Sequence, residues 1–241
     1  MTILVFGEGS TEEKVCKKVA ELSGYQAQYI SCRGTGQLNT TVINRISPLL
    51  QEQEPVYCII LRDLDAHMGE TQTSIFQSIS DALQRGLNAI DVQVDTPQMI
   101  QDSTHVNVYR LMMPDLKFRL AVHLATKRWH ECFIKSTIDD YVLELALRQN
   151  TVIELAKKVS IPPDRLIAKI TEEIPALLRS NANGIDDLTE AKDYVRLYAA
   201  VVKSATSPAV FAEKTMAKAQ ESDIREVFQP LIAAFEFVGG A

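Results

Sequence analysis

Apolar residues in the first half of the chain fall in short blocks separated by helical stretches. "TILVF", near the N-terminus, is a continuous apolar run, the mark of a strand buried on both faces. "STEEKVCKKVAELSG" then carries Val15, Val19 and Leu22 at helical spacing and stops at Gly24. Ser10 and Glu13, three residues apart, form a capping box that starts this helix. "YQAQYIS" reads as a second strand, followed by the glycine loop "CRGTGQ". A helix is expected over 39–53, with Val42, Ile43, Ile46, Leu49 and Leu50 on one side and Pro48 bending or shortening it. "VYCIILRDLD" is the clearest strand, an apolar run that ends in acids. A helix over 71–84 and a strand at "HVNVYRLMM" complete the alternation. Strand–helix–strand repetition implies an α/β fold, a mostly parallel sheet flanked by helices.

Beyond Pro114 the period becomes helical. "STIDDYVLELAL" opens with a capping box at Ser136 and Asp139, and "PPDRLIAKITEEI" places prolines at a helix start, where they are tolerated. "SDIREVFQPLIAAFEFV" carries Ile224, Val227, Phe228, Leu231, Ile232 and Phe235 as one amphipathic stripe, read as core. The expected division is an α/β domain over 1–115 and an all-helical C-terminal part over 116–241.

Composition adds limits. With 46% hydrophobic and 23% charged residues, the chain has enough apolar material for a real core. No apolar run approaches the roughly 20 residues of a membrane span, and the N-terminus goes straight into "TILVF", without the basic region or cleavage site expected of a secretory signal. Cys16, Cys32, Cys58 and Cys132 have no zinc-ligand spacing. Read as reduced thiols, they point to the cytoplasm. A net charge of −6 with dispersed Lys and Arg argues against a stand-alone nucleic-acid binder, whose affinity rests on a basic surface. It is compatible with an enzyme that holds substrate through metal ions, or with a partner that supplies positive charge.

The candidate chemistry lies where the strands end. In parallel α/β sheets, sites form at the carboxyl ends of strands. Glu8 follows the first strand, flanked by Gly7 and Gly9; Asp63 and Asp65 close the third. If those strands are neighbours, three carboxylates converge, and such a cluster needs a cation. Mg²⁺ or Mn²⁺, hard ions that prefer carboxylate oxygen, suit it. The D-x-D spacing puts both aspartates on one side of an extended backbone and turns Leu64 into the core. Glu13 is explained by its capping box. Glu12 either joins the metal site or simply favours the positive helix end.

"FGEGSTEE" and "LRDLD" together resemble the TOPRIM fold, the metal-binding domain of topoisomerases, bacterial primases and several nucleases. The branch most similar is that of the overcoming-lysogenization-defect (OLD) nucleases, with a second acid four residues after the first; here that pair is Glu8 and Glu12. "RGTGQL" also resembles the short glycine-rich segment of the small members. The resemblance covers residues 1–115. It implies that Asp63 and Asp65 bind Mg²⁺ or Mn²⁺, that Glu8 is the general acid/base or shares a metal, and that Glu12 assists a second ion. It further implies a nuclease acting on DNA or RNA, of the kind that works beside an ATPase partner in phage defence or DNA processing, and it leaves a homo-oligomer open.

His67, Arg33 and Arg62 lie near the expected mouth. The arginines are read either as phosphate contacts or as counter-charges to the acids. The resemblance also suggests Asp115 and Lys117 as further acidic and basic family positions. His105, His123 and His130 are read as structural. A dinucleotide fold is disfavoured because Glu12 replaces the third glycine of G-x-G-x-x-G and Glu8 would face the pyrophosphate. No Gly-Lys-Ser/Thr follows the first strand, which disfavours a P-loop. The competing expectation is a non-catalytic TOPRIM-like module that docks a partner through its helical half.

Overall fold

The computed structural model describes residues 1–65, 68–92, 97–157, 159–179, 188–203 and 205–240. Six strands form one sheet: β1 (Thr2–Gly7), β2 (Gln26–Ser31), β3 (Val56–Asp63), β4 (Ile100–Gln101), β5 (Val108–Met113) and β6 (Phe118–Ala125). Their order is β2-β1-β3-β6-β5-β4. β2, β1, β3 and β6 run parallel, and β5 is antiparallel to both its neighbours. The α/β class, with a mostly parallel sheet flanked by helices and a helical C-terminal part, is what the block pattern predicts.

The central strands are buried on both faces, which is why they read as unbroken apolar runs. On one face Leu4, Phe6, Cys58, Ile60, Leu120 and Val122 pack in a single core with helices α2 (Thr35–Gln51) and α3 (Gln72–Ala89). Pro48 is accommodated inside α2, which ends within a turn of it. α2 and α3 approach closely: a Cβ on Gly86 would lie 2.6 Å from the Ile43 side chain. The opposite face, with Ile3, Val5, Ile59, Leu61 and Ala121, is covered by α1 (Ser10–Leu22) and by the last helix.

Chain contacts divide the molecule into one unit of Met1–Thr126 with Gln229–Ala241, and a second of Lys127–Phe228. The sheet unit therefore runs past residue 115. "FRLAVHLA" is strand β6, reached from β5 through a tight turn in which Lys117 takes a left-handed conformation (φ 49°). The expected stripe over 222–238 is broken at Phe228, just before Pro230, a residue without a backbone N–H. Ile224, Val227 and Phe228 belong to the helical unit, whereas Leu231, Ile232 and Phe235 lie on the last helix, Gln229–Gly239, in the sheet unit.

Within the helical unit the helices surround Val142, Leu143, Leu145, Tyr198, Phe211 and Phe228, all fully buried, and the Tyr198 hydroxyl donates to the Ala146 carbonyl at 3.0 Å. The N-terminal cap of Ile138–Ala146 sits one residue later than expected. Asp140 accepts from the Thr137 amide at 2.9 Å and its hydroxyl at 3.2 Å, and from the Trp129 amide at 2.9 Å. Burial nevertheless raises the Asp140 carboxyl above its usual range, against the pull of those donors. No helix among the described residues is long and apolar enough to cross a membrane.

Candidate functional site

The connection from β1 leads through α1 to β2 on one side, while β3 lies on the other side of β1 and is followed by strands further out. This divergence opens a crevice at the carboxyl ends of β1 and β3, the place where α/β sheets bind ligands. The parallel register pairs Phe6 with Ile60. Two residues further on, Glu8, just past the end of β1, and Arg62, in β3, stand on the face that carries α2 and α3.

The turn after β1 is shaped by Tyr29. Its hydroxyl donates to the Gly9 carbonyl at 2.6 Å, and a Cβ on Gly7 would lie 2.5 Å from that hydroxyl oxygen. Gly7 is thus required by the tyrosine. Burial, and secondarily the charge of Glu12, pushes the Tyr29 phenol well above its ordinary pKa, so it stays a donor. α1 starts at Ser10 with Gly9 as its N-cap, and no side chain caps it. The expected Ser10–Glu13 box is therefore not the cap. A Cβ on Gly9 would lie 3.1 Å from Glu12 Oε2, which tucks the buried Glu12 side chain under the turn.

Glu8 makes a different set of contacts. Its Oε1 accepts from Arg62 Nη1 at 2.7 Å and from the Thr35 hydroxyl at 2.8 Å. The same Arg62 nitrogen lies 2.9 Å from Thr35 Oγ1. Arg62 Nη2 donates to Glu70 Oε1, while Glu70 Oε2 accepts from the Asp65 amide at 3.2 Å. Arg62 is 6% exposed, against 19% for Glu8 and 27% for Glu70. One buried guanidinium thus bridges two half-buried carboxylates. Beside it, a cleft of about 270 Å³ runs between the first turns of α2 and α3, lined by Thr35, Asn39, Arg62, Glu70, Ser74 and Ser78 among others.

Strand alternation sends Asp63 the other way. Cys58 and Ile60 lie in the α2/α3 core and Leu64 packs against it, as the D-x-D reading requires. Asp63 follows Ile59 and Leu61 on the opposite face. Glu12 is on that side too, close enough that its charge, after burial, raises the Cys16 thiol. Glu8 instead acts on Cys32, a member of the α2/α3 core, where burial is the larger cause of the raised pKa.

β1 and β3 are neighbours, as expected, but their period-2 geometry divides the acids between two faces. Carboxylate oxygens suit a hard divalent cation. Yet among the described residues no three His, Cys, Asp or Glu side chains are grouped to hold one. The acids do not form a ready-made metal site in this conformation. Glu70 and Thr35 carried no signal of their own in the sequence. Arg62 did: it stands in "LRDLD", beside the acids at the expected mouth, where it is read as a phosphate contact or a counter-charge.

The other candidates disperse. Arg33 is exposed at the left-handed start of the glycine loop (φ 53°). Asp115 and Lys117 lie at the opposite, amino end of the central strands, where the Lys117 carbonyl accepts from the amide of Val56 at the start of β3. His67 lies outside the described residues. His105 and His130 are in loops, and His123 is buried in β6. All four cysteines are free thiols, three of them buried.

No family model matches the chain, and no curated protein does. Among solved structures, a hypothetical protein, PH0156 from Pyrococcus horikoshii OT3, is similar with a TM-score of 0.55 and 12% identity, over 99% of this chain and 96% of that one. That likeness shows a shared fold. The C-terminal region of the OLD protein of Xanthomonas campestris pv. campestris, phased with mercury, aligns at a TM-score of 0.36 and 12% identity over 96% of this chain and 95% of its own. The platinum-phased structure gives 0.35 and 14%, over 96% and 92%.

Proposed function

We propose that the chain is a Mg²⁺- or Mn²⁺-dependent nuclease of TOPRIM type that hydrolyses phosphodiester bonds in DNA or RNA. What supports this most is that Glu8 and Asp63 leave adjacent parallel strands at the crevice where the connections diverge. Glu8, Glu12, Asp63 and Asp65 are the residues assigned to hold the ions. A bound divalent ion would supply charge stabilisation to phosphodiester oxygens. An ATPase partner, in phage defence or another DNA-processing complex, would bring the basic surface that a net charge of −6 withholds.

One observation favours a second reading. Arg62 already neutralises Glu8, as expected of a non-catalytic module whose acids are structural and whose helical unit docks a partner. The two readings part in one experiment. Purified protein is incubated with supercoiled plasmid, single-stranded DNA and total RNA, with Mn²⁺ or Mg²⁺, beside Asp63→Ala and Glu8→Ala. The nuclease reading expects cleavage that needs metal and disappears in both variants. Cleavage that survives Asp63→Ala sinks it. The module reading expects no cleavage, and partner binding unchanged by the combined Glu8, Asp63 and Asp65 alanine substitutions.

A further inference from the structure

We infer that the cleft between α2 and α3 is a pocket for a guanine base, with the phosphate of the nucleotide at the start of α2. The pocket uses Arg62 as it stands, paired with Glu8, and needs no metal. Its volume, about 270 Å³, lies below the roughly 300–1,000 Å³ of pockets for drug-sized molecules and suits a single base with its sugar. Leu38, Ile75 and Ile79, all buried, line it and offer apolar contact to the face of a flat ring. One helical turn beyond Thr35 and Ser74, Asn39 Nδ2 donates to Ser78 Oγ at 2.9 Å and to the Ser78 carbonyl at 3.3 Å, which ties α2 to α3 and fixes the width of the cleft.

The polar end selects the ligand. Arg62 lines the cleft at 6% exposure, and its Nη atoms are engaged by Glu8, Thr35 and Glu70. Its Nε–H has no acceptor among the described residues, which leaves a buried donor for a ligand atom to satisfy. Glu70 lines the cleft too and uses each oxygen once, for Arg62 Nη2 and for the Asp65 amide, whereas an ionised carboxylate has about four acceptor sites. A donor therefore stands beside an acceptor that can take two hydrogens. Guanine carries the matching edge: O6 and N7 accept, and the adjacent N1–H and N2 amino group donate. Adenine and cytosine place an amino donor where guanine has O6, and uracil has a single donor between two carbonyls. At the mouth, α2 begins with Gly34 as N-cap and no side-chain cap, so the first amides, of Thr35 and Gly36, are open to a phosphate.

The four ribonucleoside 5′-monophosphates are titrated calorimetrically into the full chain in EDTA, with thermal melting as the check of folding. GMP should bind, and AMP and CMP about tenfold more weakly, the discrimination that one good base contact provides. Glu70→Gln should bring GMP down to the level of AMP and leave AMP unchanged. Asp81→Asn removes an equal charge from the exposed side of α3, outside the cleft, and should keep the wild-type ratio. Ser78→Trp, at an exposed position on the rim, should fill the cleft and abolish binding of every nucleotide; if that variant fails to fold, the Glu70→Gln ratio decides. Short oligouridylates carrying one guanine or one adenine separate a free nucleotide from an unpaired base in a strand. Binding of the guanine oligomer but not of GMP, lost in Glu70→Gln, supports the pocket and assigns its base to a strand. Equal affinity for GMP and AMP, GMP binding retained in a folded Ser78→Trp, or binding of no probe at all overturns the inference. With no metal present, the nuclease reading can fail in its own assay while these titrations stand, and the reverse.

Discussion

On one face of the β3–β6 pair lies Arg62, on the other His123; their rungs, Arg62 with Leu124 and Leu61 with His123, are successive. Both side chains are removed from water, Arg62 at 6% exposure and His123 at 2%. The arginine is paired: Glu8 and Glu70 close on its two terminal nitrogens. The histidine gives up its charge: burial pushes its pKa down to about 4. Nε2 of His123 lies 3.4 Å from the Asn107 amide nitrogen, an arrangement that suits a neutral ring accepting a hydrogen bond. The difference follows from chemistry. Guanidinium does not deprotonate in proteins, so it needs partners, whereas imidazole has a neutral form available. The charged face is the one that opens into the crevice.

The largest break in this comparison comes from removing the arginine. Arg62→Ala leaves Glu8 and Glu70 facing each other without a cation and should cost about 3–4 kcal/mol of stability in urea denaturation. Partial recovery in the Arg62→Ala, Glu8→Gln double variant would identify carboxylate repulsion as the cause. A simple sum of the two single effects would rule it out.

The histidine face should respond to pH instead. With a folded pKa near 4 against 6.5 unfolded, His123 takes up a proton in the unfolded chain first. Its contribution is complete above about pH 6.5 and is lost as pH falls toward 4, by about 3 kcal/mol in all. Urea midpoints between pH 7.5 and 4.5 should show that decline, and His123→Leu should flatten it. An equal slope in His123→Leu would place the acid sensitivity elsewhere.

Two smaller effects test how Glu8 is held. Gly7→Ala drives a methyl against the Tyr29 hydroxyl and should cost about 2 kcal/mol, less in a Tyr29→Phe background, where the clashing oxygen is gone. Thr35→Val removes a hydroxyl shared by Glu8 and Arg62 and should cost about 1 kcal/mol. A change within error at Thr35 would mean that the arginine alone orients Glu8.

Much of the architecture could be read along the chain because it depends on local pattern. The apolar runs of β1 and β3, the helical stripes of α1 and α2, and the acids at the strand ends are all short-range features. β6 escaped that reading: its burial on both faces leaves an apolar string, "FRLAVHLA", without the alternation or flanking glycines that would separate it from a helix. The break at Phe228 had a signal in Pro230, but the apolar stripe continues across it, and contacts divide it between two units.

By itself the sequence determined the α/β class, the carboxyl ends of the strands as the place for a site and the residue types gathered there, because strand and helix periods are written in consecutive residues. Which acid faces which neighbour was decided only by the tertiary structure. Glu8, Thr35, Arg62 and Glu70 are separated by as many as 62 positions, and it is the β1–β3 register and the packing of α2 and α3 that bring them together. A carboxylate in the chain is a candidate ligand; the register makes this one the partner of an arginine.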